Sequence, residues 1–272
     1  MQTIAVANRK GGVGKSSVAT HLAAALGIRG AQVLVIDMDS QASTSAMLLD
    51  EVDDDLPTTT QLLLGEARLT EVMRPSTRDG VLVAPACSEL TRAQFAIAGR
   101  TGRETILRRA MRELSGIDVV VIDTAPELQL ATLNALVAST HVLMPFTPDP
   151  KALEGLQTTT EAVAEIVGAE LGHPAILGCV QVAYDRRLAV TDQSREQVAA
   201  AYGPLLLDTR VRANSSFIVC PAWHRDIFAM ERQERQRRGS EDFLALADEV
   251  AARLGLRTAD ALAATAELGA AA

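Results

Sequence analysis

The sequence predicts an α/β protein built on a doubly wound, mostly parallel sheet with helices on both faces. Three observations predict it. Short apolar runs rich in β-branched residues alternate with longer helical patterns. The first run opens straight into a glycine-rich loop and then a helix. Two later runs close on aspartate, at the strand ends where such sheets bind ligands.

The strand-like runs are 3–7, 33–36, 81–84, 119–122, 141–145, 176–182 and 204–207. They are continuous rather than alternating, as expected of strands covered on both faces. The helical stretches are 16–28, 101–114, 130–139, 152–170, 192–201 and 241–254. The stretch at 16–28 reads as amphipathic. No linker and no internal repeat breaks the pattern, so residues 1–257 read as one domain. The alanine-rich tail, 258–272, reads as a frayed helix or disordered chain.

Composition narrows the class. The chain of 272 residues is 48% hydrophobic, enough for a sizeable core. Its three cysteines, Cys87, Cys179 and Cys220, form no C-x-x-C pair, so neither a zinc site nor a disulfide framework is indicated. No charged leader precedes a long apolar stretch, and no run reaches transmembrane length, so a cytoplasmic location is expected. A first strand beginning at residue 3 leaves no room ahead of it for a helix-turn-helix, so operator-specific repression is not expected. A net charge of -8 argues against a protein coated in basic charge for nucleic acid. Any DNA binding must come from a local patch. Charge is uneven: residues 50–55 hold five acids in six positions, and residues 231–238 hold four arginines and two glutamates. Either run also reads as a solvated surface.

Of the 26 basic residues only three are lysine: Lys10, Lys15 and Lys151. Two of them share one loop, Asn8-Arg9-Lys10-Gly11-Gly12-Val13-Gly14-Lys15-Ser16-Ser17. A compact ammonium enters a tight phosphate cradle where a planar guanidinium does not. Glycines let successive N–H groups turn inward as an anion nest, and the following helix adds its positive end. Read as a phosphate loop, Lys15 reaches the β- and γ-phosphates, the Ser16 hydroxyl coordinates Mg²⁺ and Ser17 bonds the α-phosphate. The loop departs from G-x-x-x-x-G-K-[ST] at its first glycine position, which is Arg9. The bland alternative is a glycine-rich turn with incidental lysines.

The stretch Lys10–Ser17 resembles the deviant Walker A loop of the ParA/MinD family of P-loop ATPases. The likeness extends from about residue 3 to about 160. It takes in Asp37-Met38-Asp39-Ser40-Gln41, Asp123-Thr124-Ala125-Pro126, Leu133–Leu136 and Pro148–Leu156. The resemblance implies an ATP-binding loop formed by Lys10, Gly11, Gly12, Val13, Gly14, Lys15, Ser16 and Ser17. It implies that Lys10 reaches across a two-fold dimer to the partner's phosphates, a cation supplied in trans as an arginine finger is. Asp39 would orient the attacking water. Asp37 would support Mg²⁺ through water, and Asp123 would hold the metal as a Walker B carboxylate. Alone, an Asp-x-Asp strand end is weak evidence, since aspartate often caps the following helix. Ala125 stands where the family commonly has proline. No Asn-Lys-x-Asp guanine box is present, which favours ATP. The base would lie between 181–184 and 208–210.

The same resemblance places DNA contacts at Arg186, Arg187, Arg210 and Arg212. Ion pairs with Asp185, Asp192 and Asp208 are the alternative. The implied function is an ATPase of weak intrinsic activity. Its ATP-bound homodimer binds DNA non-specifically, gathers on the nucleoid, and is released when a ParB-like partner stimulates hydrolysis. A MinD-like membrane regulator needs a basic amphipathic tail, and 258–272 has no basic residue, so no stable membrane binding is expected. A metal-cluster carrier needs paired cysteines. Positioning of a protein cargo stays open.

Overall fold

The computed structural model describes residues 1–51, 53, 55–230 and 234–256. The tail read as frayed or disordered lies outside the described residues, as do parts of the acidic and basic runs. The strands are β1 (Gln2–Val6), β2 (Val33–Met38), β3 (Arg74–Pro75), β4 (Val81–Ala84), β5 (Val119–Thr124), β6 (His141–Phe146), β7 (Ala175–Tyr184) and β8 (Leu206–Arg212). They form one sheet in the order β3-β4-β2-β5-β1-β6-β7-β8. Every pairing is parallel except that of the two-residue β3 with β4. The helices are α1 (Lys15–Ile28), α2 (Ser43–Leu48), α3 (Thr59–Leu64), α4 (Leu69–Val72), α5 (Leu90–Ile97), α6 (Ile106–Ala110), α7 (Leu130–Ala138), α8 (Ala152–Gly168), α9 (Ala189–Tyr202), α10 (Ser216–Val219) and α11 (Glu234–Leu254).

The pleat divides the core. Val33, Val35, Val119 and Val121 pack with α1 and α11, while Leu34, Ile36, Val120 and Ile122 pack with α3, α5, α6 and α7. Alternate residues face opposite layers, and both layers are apolar, which is why the runs look continuous in sequence. The helix after the loop is not the half-wet helix expected. Residues 18–26 are all buried, because α11 lays Phe243, Leu246 and Val250 over α1's outer side.

Two further expectations shift. Residues 101–114 do not form a continuous helix: α6 is flanked by 3-10 turns at Arg103–Thr105 and Met111–Glu113. The Asn134 side chain accepts from Leu107 N and donates to Arg103 O, so two backbone groups bond to α7 instead. The last strand starts later than 204, because Gly203–Leu205 is a 3-10 turn with proline in its first turn. Helices α2 to α5 are short and were not read from the sequence.

The root of the glycine loop is pinned to β6 and α8. Asn8 donates from Nδ2 to Pro145 O at 2.8 Å and accepts Lys10 N on Oδ1 at 2.9 Å. Arg9 N donates to the Thr159 hydroxyl at 3.1 Å. Gly155 makes this approach feasible, since a Cβ there would stand 2.7 Å from Asn8 Oδ1 and 3.1 Å from Lys10 Cβ. Gly155→Ala is therefore expected to cost about 1–3 kcal/mol, the usual range for overpacking a tight site. A urea midpoint equal to the wild type would show that Asn8 can yield without loss.

Candidate nucleotide site

The site lies at the carboxyl ends of the central strands. Val6 pairs with Asp123, and Asp123 pairs with Asp37, so three strand ends stand in a row. The loop follows β1 directly. Gly12 and Gly14 have φ of +73° and +80°, which L side chains rarely adopt. At Gly12 a Cβ would meet nothing within 4 Å, so backbone conformation alone requires glycine there.

Lys15 begins α1 and is 6% exposed. Its Nζ donates to Lys10 O at 3.2 Å, folding the side chain back over its own loop. Burial pulls its pKa below the usual lysine value, opposed by Asp123, Asp39 and Glu127. The ammonium is thus held largely dry, on a loop carbonyl and within the field of three carboxylates.

The three aspartates are placed differently. Asp37 is fully buried: Oδ1 accepts Asp39 N at 3.0 Å, and Oδ2 accepts Ser45 N at 2.9 Å and the Ser45 hydroxyl at 2.7 Å. Both oxygens thus shape the turn after β2. Burial raises its pKa against those hydrogen bonds. Asp39 lies just past the strand and accepts Gln41 N at 2.9 Å. Asp123 is also fully buried, bonded to Thr124 N at 2.9 Å and to the Thr44 hydroxyl at 2.8 Å, with the Ser16 hydroxyl a further partner. Burial first, then the neighbouring Asp37, push its carboxyl well above the usual range.

This donor set fits a hard divalent cation completed by phosphate and water. Among the described residues no three His, Cys, Asp or Glu side chains form a cage by themselves. Mg²⁺ needs none, since it binds one or two carboxylates together with substrate phosphates. A buried carboxylate with a raised pKa beside a serine hydroxyl is the kind of group such a cation relieves.

Lys10 does not point into its own loop. Its Nζ pairs with Asp149 at 2.7 Å, with side chains 30% and 39% exposed. The lysine bonds hold the Asp149 carboxyl below its ordinary pKa. A part-exposed pair of this kind contributes at most about 1 kcal/mol, so it opens easily.

Beside the loop lies a cleft of about 1040 Å³. One wall is Val182–Arg187 and the other is Val211–Ser215 with Phe217. The second wall is displaced from 208–210, because Glu249 holds Asp208 N and Thr209 N at 3.0 and 2.9 Å along α11. Gln181 is turned inward, donating to Thr191 O at 2.7 Å.

The four arginines gather at this cleft and along β8. Arg187 pairs with Asp185 at 2.6 Å, and Arg210 pairs with Asp192 at 3.0 Å while stacking 4.9 Å from the Tyr184 ring centroid. Arg212 joins β8 to α11 through Asp242 at 2.8 Å. Arg186 is exposed on the cleft wall. Sequence reasoning missed Asn8, Thr44, Ser45 and the pairing role of Asp149. The run Ser43-Thr44-Ser45, three hydroxyls just after the Asp-x-Asp turn, was a signal for two of them.

The family model described as AAA domain, AAA_31, matches residues 1–171. The chain is 31% identical over 251 residues to the chromosome partitioning protein ParA of Myxococcus xanthus, covering 92% of this chain and 88% of that protein. It is 32% identical over 254 residues to the chromosome-partitioning ATPase Soj of Thermus thermophilus, covering 93% and 97%. Among solved structures, cobyrinic acid a,c-diamide synthase of Mycobacterium smegmatis with bound ADP and magnesium matches at TM-score 0.76 and 27% identity, over 91% of this chain and 93% of that one.

Lys15→Ala is expected to abolish binding of a fluorescent ATP analogue, since it removes the ammonium beside the loop amides. Affinity within threefold of the wild type would refute the loop assignment.

Proposed function

Since the chain belongs to the ParA family of P-loop ATPases, we propose that it hydrolyses ATP to drive DNA partition through a nucleotide-dependent dimer. One observation carries this reading. The loop holds two lysines in different states, Lys15 buried on the backbone of its own loop and Lys10 at the surface on Asp149.

The amides of Gly11 to Lys15 and the helix end cradle the phosphates, and Lys15 places its ammonium at the terminal ones. Ser16 and Asp123 would hold Mg²⁺, which would neutralise phosphate charge, and Asp37 would support it while fixing the turn that carries Asp39. The cleft beside the loop takes the base and ribose. Asp39 orients the attacking water. Lys10 leaves Asp149 for the phosphates of a second subunit, so the dimer depends on the triphosphate. This step needs no refolding, because the cost is one weak surface pair.

The dimer binds DNA without sequence preference. Arg186 and Arg187 offer the phosphate contacts, the latter by exchanging Asp185 for a phosphate. Arg212 is tied by several bonds to the largely buried Asp242, and Arg210 rests on Asp192 and the Tyr184 ring. Two subunits double the patch, and the contacts weaken steeply with salt. A ParB-like partner stimulates hydrolysis and so releases the dimer from DNA in the cytoplasm.

Asp39→Ala is expected to bind ATP yet fail to turn it over, eluting as a dimer with ATP and as a monomer with ADP in size-exclusion chromatography. Turnover at the wild-type rate would move the catalytic role elsewhere. Replacing Arg186 and Arg187 together with glutamate should leave ATP affinity intact and lower the salt slope of DNA binding by about 2 per subunit, one for each lost phosphate contact. An unchanged slope would remove this patch from the interface.

A further inference from the structure

We propose that Thr44, on α2, is the positioning residue that sets the Asp123 carboxylate for its cation. The inference rests on the reading above that Asp123 serves Mg²⁺. It names a residue outside the loop, and outside both aspartate motifs, as part of the metal site.

The Thr44 hydroxyl is fully buried, and its surroundings fix where its one proton goes. It accepts from the Thr20 hydroxyl at 3.2 Å. It lies 2.8 Å from Asp123 Oδ2 and 3.4 Å from Ser16 O, so the stronger acceptor at the shorter distance is the carboxylate. A directed chain, Thr20 to Thr44 to Asp123, results, and each bond in such a chain strengthens the next. The other oxygen of Asp123 accepts Thr124 N at 2.9 Å, while the Thr124 hydroxyl donates to Val6 O at 2.8 Å. With Thr44 on one oxygen, Thr124 N on the other and the Ser16 hydroxyl as a further partner, the carboxyl is held in place beside Ser16.

The neighbouring residue performs the matching task for the other strand. Ser45 donates from both its amide and its hydroxyl to Asp37. Successive residues of a helix point about 100° apart. Two adjacent side chains of α2 therefore hold carboxylates on two adjacent strands. Ala42, at φ +52°, turns the chain after β2 so that α2 reaches both. The far end of α2 is anchored as well, with Thr77 N donating to Leu48 O at 2.8 Å and the ring of His224 meeting Leu49 O at 3.2 Å.

Loss of the Thr44 hydroxyl would leave a buried carboxylate short of one donor and less firmly held beside Ser16. Outer partners of metal-binding side chains typically contribute about 10–100-fold to metal affinity. Thr44→Val removes the hydroxyl at nearly constant volume, and Thr44→Ser keeps it while removing the methyl group.

The test uses the full chain and a fluorescent ATP analogue, titrated with MgCl₂ from an EDTA-containing buffer. Thr44→Val is expected to raise the half-saturating Mg²⁺ concentration about tenfold, with binding in EDTA unchanged. Thr44→Ser should stay within about twofold of the wild type. Thr44→Ala, read in the same way, serves if the valine variant does not fold by circular dichroism. A valine or alanine midpoint equal to the wild type would overturn the proposal. So would a serine variant displaced as far as the valine, which would assign the effect to methyl packing. A wild type that ignores Mg²⁺ would instead sink the metal reading of Asp123 beneath it.

Discussion

The parallel register of β1, β5 and β2 is the constraint on which the site depends. It sets Val6, Asp123 and Asp37 abreast at the sheet's carboxyl edge, with neighbouring strands about 4.8 Å apart. The glycine loop can rise only from the end of β1, so Lys15 must enter beside those carboxylates. The crowding is unfavourable for the free protein. Two fully buried aspartates have raised pKa values, and a lysine beside them is lowered by its own burial. Charges in that state are relieved by a cation on one side and a polyanion on the other.

Around this row the fold uses small polar residues as fixings. Asn8 ties the root of the loop to β6, and Gly155 and Thr159 seat it on α8. Thr44 and Ser45 tie the two carboxylates to α2. Both helices follow strands of the same sheet, so the loop and the two carboxylates are held from different strands of one sheet edge. The surface features are softer by comparison. Lys10 rests on Asp149, and Arg187 rests on Asp185, each in a solvent-screened pair that exchanges partners at little cost.

Burial explains where sequence patterns misled. The helix after the loop looked one-sided, but α11, more than two hundred residues away in sequence, covers its second side. The helix expected at 101–114 is broken because Asn134, on α7, takes over two of its backbone bonds. In both cases the deciding partner is distant in the chain, and local periodicity holds no trace of it.

By itself the sequence determined the fold class, the strands that carry the site, the glycine loop and the two aspartate-bearing strand ends. Each of these rests on a local pattern: an apolar run, a glycine spacing, a carboxylate at a strand end. Tertiary structure alone decided which groups those residues meet. Lys10 turns to Asp149, Asp37 spends its oxygens on a turn, three of the four arginines already hold carboxylates, and Thr44 stands on Asp123. Hydrogen bonds and ion pairs depend on ångström-scale approach between segments far apart in the chain. Only the packed sheet fixes those distances.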